Sequence, residues 1–442
     1  MTITLTEKRH LSATGLLSCV RSHFAKIVLP KKHGSGKEPE IPLVDCLMSG
    51  LAVFGLKFPS LLQFDKHKSE ELIRHNLQTL YHVKRAPSDT QMRTRLDEVQ
   101  PEMIRGVFKK VFASIQRGKA LEKYQFINGH YLLLSDGTGF FSSKCVHCEG
   151  CCVKNHKDGS KTYYHQMLGA VIAHPDYKEV IPLCPEPITK SDGQKKNDCE
   201  RNASKRLLAD IRREHPHLPL ILAEDGLAAN APHLRLCQEF DIRFITVVKP
   251  DGNKTLFEWL NGVNREQHEV FNDSGKCTHR MEFVNGVPLN DADPDLLVNF
   301  VEYWEYDSYG KQKYHNTWIV DLDVTKENVF LISLGGRARW KIENETFNTL
   351  KNQGYEFEHN YGHGYKNLAT IFGMLMMLAF LVDQVQQLCC GLFQAAWKKC
   401  HAKTVLWEKV RNAFQMFKIS SWAALYQAIA EGFAGRASLD TS

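Results

Sequence analysis

Arg337-Ala338-Arg339-Trp340-Lys341-Ile342-Glu343-Asn344-Glu345-Thr346-Phe347-Asn348-Thr349-Leu350-Lys351 contains neither proline nor glycine, and its spacing predicts a helix. At helical spacing Trp340, Glu343, Phe347 and Leu350 share one stripe. Three of the four are apolar, so the stripe is expected to face a core and to carry the Glu343 carboxylate inward. A second stripe, Arg337, Lys341, Asn344, Asn348 and Lys351, is polar and mostly basic. An inward acid beside a basic row fits a metal site next to a polyanion. An amphipathic helix with one acid at the margin of its buried face has the same pattern. The other acids of the chain decide between the two.

Two of them stand far upstream. Residues 131–134 are apolar and lead through Ser135 to Asp136 and Gly137; residues 218–223 lead to Glu224, Asp225 and Gly226. Each run predicts a buried strand ending in an acid. An Asp-Gly strand end puts the carboxylate at the carboxyl edge, where open α/β sheets take ligands. Residues 163–173 and 179–183 predict two more strands. Residues 197–214 predict a helix whose basic face holds Arg201, Lys205, Arg206, Arg212 and Arg213. Residues 232–239 read as a helix and 243–249 as a strand. Three hairpin-like strands followed by helix, strand, helix and strand give the order of an α/β, ribonuclease H-like mixed sheet.

Residues 250–335 break that alternation. Turn formers separate strand-like runs at 297–306, 315–322 and 328–334, which predicts an inserted antiparallel β-region. Residues 368–382 are apolar throughout and stop at Asp383. The run is short for a membrane span and predicts a helix buried on all sides. The expected division is a helical basic module at 1–125, the first part of the core at 126–250, the insertion at 251–335, core completion at 336–385, and a helical region at 386–442. Residues 29–39 read as a loop, Ser88 as the N-cap of a helix carrying Arg93 and Arg95, and 436–442 as a weakly structured tail.

The chain has 442 residues and a net charge of +6. Residues 1–130 hold 21 Lys and Arg against 12 Asp and Glu, so the excess lies in the first third. Such a basic segment suggests either a polyanion partner, most often nucleic acid, or a solvated basic surface. The first ten residues have no apolar h-region, and the 13 cysteines are expected to be reduced thiols in a cytosol.

Asp136, Asp225 and Glu343 on separate rigid elements are what two-metal phosphoryl transfer needs, and hard oxygen ligands suit two Mg²⁺ or Mn²⁺ ions. On these residues the chain resembles bacterial insertion-sequence transposases of the DDE class, whose ribonuclease H-like core is interrupted by a β-strand insertion before the last acid. Asp136 and Asp225 match the family's two aspartates, and Arg339-x3-Glu343 matches the centre of its Tyr-x2-Arg-x3-Glu-x6-Lys signature. The flanks depart: Gly336 takes the Tyr position and Leu350 the Lys position, with Lys351 one residue late. The resemblance covers residues 130–385. It implies cleavage of double-stranded DNA at terminal inverted repeats, joining of the 3′ ends to target DNA, a homodimer in the synaptic complex, and a cytoplasmic, nucleoid-associated protein without membrane contact. It gives Arg339 an orienting role, leaves Lys341, Lys351 and Trp340 as DNA-contacting residues, and offers Trp304 or Trp318 for stacking on a flipped base. A metal-dependent endonuclease on the same core, or a DNA-binding protein without transposition, are the alternatives.

Cys145, His147, Cys148, Cys151, Cys152 and His156 form a separate group; Cys148-x2-Cys151 has zinc-knuckle spacing and the others are candidates to complete a structural Zn²⁺ site. His359, His363 and Lys366 follow the quoted stretch in a glycine-rich loop, as phosphate-contacting residues or as a plain connection. Asp198 and Glu200 open the 197–214 helix, where either favours the N-terminus or reaches the site.

Overall fold

The structure is a computed structural model that describes residues 9–30, 40–190, 196–272 and 276–432. Most of the expected 29–39 loop and the 436–442 tail lie outside the described residues. The strands are β1 (Tyr131–Ser143), β2 (Cys152–Asn155), β3 (Lys161–Ala173), β4 (Ile181–Pro182), β5 (Glu186–Ile188), β6 (Leu220–Glu224), β7 (Ile242–Val247), β8 (Glu266–Asn272), β9 (Cys277–Pro288), β10 (Leu297–Asp307) and β11 (Gln312–Val320). They form one 11-stranded mixed sheet in the order β2-β3-β1-β6-β7-β11-β10-β9-β8, with β4 and β5 also on the edge of β3. The fold class is mixed α/β.

β1 is antiparallel to β3 and parallel to β6, and β6 is parallel to β7. Parallel neighbours need crossovers. Lys196–Glu214 lies between β5 and β6, and Ala231–Glu239 connects β6 to β7. Residues 251–335, expected as an inserted antiparallel β-region, hold the antiparallel ladders of β8 to β11, and β11 pairs with β7 and continues the sheet. Residues 328–334, expected as a strand, instead open the helix Val329–Arg337. A short apolar run cannot distinguish the two by periodicity. Here Gly335 and Gly336 let a helix lie directly on the sheet, with no room for a Cβ beside Ile245 or Trp318.

The helix Leu368–Cys389 is buried over nearly its whole length, as its composition predicts. It is long and apolar enough to cross a membrane, yet its apolar window is fully buried within the protein. Gly50 on Leu43–Gly55 lets that helix close onto Leu375. On the C-terminal side, Tyr426 Oη lies 2.6 Å from Gln386 Oε1. A buried ion pair, Lys57 to Asp383 at 2.6 Å, ties the N-terminal helices to the same helix, and Tyr355 donates to that carboxylate at 2.5 Å. Removing one partner of such a pair costs roughly 3–5 kcal/mol. The segments expected as separate parts at 1–125 and 386–442 therefore share one continuous core with 336–385.

Candidate active site and metal centre

The parallel ladder between β1 and β6 ends at Leu134 and Ala223. β6 stops at Glu224, but β1 does not end at Asp136 as expected; it runs on to Ser143, paired with β3. Asp136 thus sits where one neighbour of β1 falls away. The resulting cleft is lined by Asp136, Gly137, Glu200, Glu224, Asp225 and His233, among others.

Asp136 Oδ1 accepts from its neighbour Gly137 N at 2.8 Å. Asp225 caps the short turn Gly226–Ala228, accepting from Leu227 N at 3.0 Å. Arg339 binds two of the three acids: one guanidinium nitrogen donates to Asp136 Oδ2 at 3.3 Å, the other to Glu343 Oε1 at 2.9 Å. Burial pushes the Asp136 carboxyl up to about 7. The Arg339 guanidinium and the Gly137 N–H pull against that rise, while the charges of Glu343 and Asp225 add to it. Both other acids therefore act on Asp136, although the three come from β1, the end of β6 and the helical stretch after β11.

Two glycines shape the surroundings of Asp136. A Cβ on Gly137 would meet Glu200 Oε1 at 1.8 Å, so the missing side chain admits that carboxylate. Gly169 pairs with Asp136 across the ladder, and a Cβ there would meet the Phe347 ring at 2.9 Å. Phe347 docked on Gly169 sets the Glu343 segment against β1. Behind Asp225, Glu224 and His233 form a buried pair at 2.6 Å. Burial alone lowers the His233 ring, but the Glu224 charge and the ring's hydrogen bonds to Cys237 and Glu224 hold it up to about 11. The pair pins the end of β6 to Ala231–Glu239. Asp198 lies outside the residues whose side chains are described.

The quoted stretch is not one regular helix. Val329–Arg337 ends in a turn, and Ile342–Phe347 is a π-helical segment before Asn348–Asn352. The wider π turn changes the phase of the stripes. Phe347 and Leu350 are buried as expected, but Glu343 and Trp340 face outward and Lys341 faces in. Lys341 donates to Tyr177 O at 2.5 Å, and burial holds its amine below the usual range, so it is not open to a DNA phosphate. Lys351 pairs with Glu358 at 2.8 Å. Trp340 is 39 % exposed beside the acids. Trp318 is core, packed on Gly336, and cannot stack on a base. Trp304 stacks on His315 with ring centroids 5.2 Å apart.

A second cluster lies further along the β1–β3 ladder. Cys148, Cys151, His165 and His363 bring one ligand atom each within 4.8 Å of one another, an arrangement able to hold a metal ion. Of the six residues expected there, only the Cys148–Cys151 pair takes part. Cys145 is exposed, and His147 stacks on Tyr163. Cys152 Sγ turns to Ile188 O, and His156 Nε2 lies 2.8 Å from Thr162 Oγ1. Cys152 opens β2, where alternation turns it to the face opposite its neighbour Cys151. The missing ligands are His165 on β3 and His363 in the glycine-rich loop, so His363 has a partner other than phosphate. The signal for His165 was the hairpin itself: Cys152 pairs with Tyr164, which brings the next residue beside Cys151. Hydrogen bonds from Cys151, then from His165 and His363, hold the Cys148 thiol well below its ordinary range. No disulfide joins the described cysteines.

No protein-family model matches this chain, and no curated protein matches it either.

Proposed function

We propose that the chain is a DNA transposase of the DDE class, built on a ribonuclease H-like core, which cleaves phosphodiesters at the ends of its element and joins the freed 3′ ends to target DNA. The observation that carries this reading is Arg339 bridging Asp136 and Glu343 while the Asp225 charge acts on Asp136. The strand order β3-β1-β6-β7, with β1 central and only β3 antiparallel to it, supports the ribonuclease H-like assignment.

The donor set fits divalent magnesium or manganese. It is all hard oxygen, Asp136 and Asp225 line a cleft, and burial raises the Asp136 carboxyl, a cost that a bound cation would offset. Two such ions, when bound, activate the attacking water or 3′-hydroxyl and stabilise the leaving oxygen. Asp136, Asp225 and Glu343 would hold them. Arg339 orients the Asp136 and Glu343 carboxylates from one guanidinium. Arg201, exposed on the rim of the cleft, and Trp340, exposed next to Arg339 in the chain, would contact DNA. The reading includes a homodimer on two element ends and a cytoplasmic, nucleoid-associated location.

The test is purified full-length protein with duplex DNA carrying the inverted repeats that flank its coding region, in Mg²⁺. Cleavage and joined product are expected, with both lost in Asp136→Ala, Asp225→Ala and Glu343→Ala. Cleavage without joining would make the protein an endonuclease of the same core. Cleavage undiminished in all three variants would refute the site.

A further inference from the structure

We propose that Cys148, Cys151, His165 and His363 bind one zinc ion in a closed tetrahedral site, and that this ion clamps the loop after the Glu343 segment onto the β1–β3 ladder. The proposal stands apart from the transposase reading, since nothing in it depends on DNA or on the acidic cleft.

The distances select the ion. Zinc takes thiolate sulfur at about 2.3 Å and imidazole nitrogen at about 2.0–2.1 Å in a tetrahedron. The edges of that tetrahedron are about 3.8 Å between sulfurs, about 3.6 Å from sulfur to nitrogen and about 3.3 Å between nitrogens. The two sulfurs lie 3.8 Å apart, far beyond a disulfide. The sulfur–nitrogen edges seen are 3.3 to 3.4 Å, and the two Nε2 atoms lie 3.1 Å apart. His363 Nδ1 donates to Gly364 O at 2.9 Å, which fixes the tautomer that binds a metal through Nε2, the atom facing the other ligand atoms. Two soft and two borderline donors favour zinc over the hard cations of the cleft. Four protein ligands leave no open position, so the site is structural and not catalytic.

The ligands also explain what is clamped. Cys148 and Cys151 lie between β1 and β2, His165 lies on β3, and His363 lies in the loop between Asn352 and Leu368. Gly362 and Gly364, at φ +142° and +69°, give that loop a path open to few other residues. Past the cluster, the Asp97 carboxylate accepts from the backbone N–H groups of Tyr365, Lys366, Asn367 and Leu368 at 2.9 to 3.0 Å, capping the buried helix. His363 is therefore the tie between the loop and β3, while Asp97 ties it to the N-terminal helices.

The experiment is elemental analysis of full-length protein purified under reducing conditions without added metal, followed by cobalt substitution. One zinc per chain is expected, with intense visible bands and thiolate charge transfer on cobalt loading. Cys151→Ser and His363→Asn should lose the metal, while Cys145→Ser and His147→Ala should keep it. Should the first two variants fail to fold, stepwise chelation of unmodified protein reads the same claim. Zinc removal should speed amide exchange in residues 357–367 about tenfold or more. Zinc-free protein, weak octahedral cobalt spectra, or metal lost through Cys145 and His147 would overturn the site. Unchanged exchange after complete zinc removal would overturn the clamp.

Discussion

Two clusters of ligand-type side chains lie on one ladder. Asp136 pairs with Gly169 and Phe141 with His165, a separation of about 13 Å along β3. One cluster is all carboxylate: Asp136 and Asp225 line a cleft, Arg339 joins Asp136 to Glu343, and Glu343 is half exposed. The other has two thiols and two imidazoles, mostly buried, with its ligand atoms already at coordination distances. An open set of hard donors leaves room for substrate, whereas a closed set of soft donors only holds. The same β1–β3 ladder thus supports a site suited to chemistry and a site suited to anchoring.

The difference can be broken by exchanging which cluster is damaged. Asp136→Asn, Asp225→Asn and Glu343→Gln are each expected to weaken Mn²⁺ binding about a hundredfold or more, read by titration calorimetry, with stability unchanged or raised. Cys151→Ser should do the reverse, losing roughly 3 kcal/mol or more of stability in denaturant melts while the acids keep their Mn²⁺ affinity in the folded fraction. Gly336→Ala should cost about 1–3 kcal/mol by overpacking against Trp318, without touching either metal. Arg339→Ala should lower DNA cleavage about tenfold, with Arg339→Lys recovering part of it, because lysine cannot fork between two carboxylates.

The smallest effect concerns pH. The His233 ring is raised to about 11 by Glu224, so its contribution to stability is complete below its ordinary range near 6.5 and is lost as pH rises toward 11. Thermal melts of His233→Gln should show a flatter decline over that window than the unmodified protein. An identical decline in both would dissociate the pair from the end of β6.

What could be read from the sequence was what depends on local pattern. The apolar run at 368–382 announced a buried helix, Ser88 capped its helix as expected, and the apolar runs before Asp136 and Asp225 became neighbouring strands. What depends on distant packing could not be read. The π turn at Ile342–Phe347 moved Lys341 inward and Trp340 outward, against a stripe drawn at regular spacing. Gly336, which stands where the DDE signature has Tyr, is explained by the Trp318 ring lying where a side chain would go. His363 could not be joined to the Cys–His cluster from sequence because it is 212 residues from Cys151. The basic first third was expected to stand as a module, yet it is packed on the central helix through Gly50 and Lys57.

The central claim is that the acidic cleft, and not the Cys–His cluster, breaks DNA. It is tested most directly by zinc-loaded protein and element-end duplex, with and without Mg²⁺, comparing the unmodified chain with Glu343→Gln. The account predicts new 3′-hydroxyl ends only when Mg²⁺ and Glu343 are both present. Equal cleavage by Glu343→Gln, or cleavage sustained by zinc alone, would contradict it.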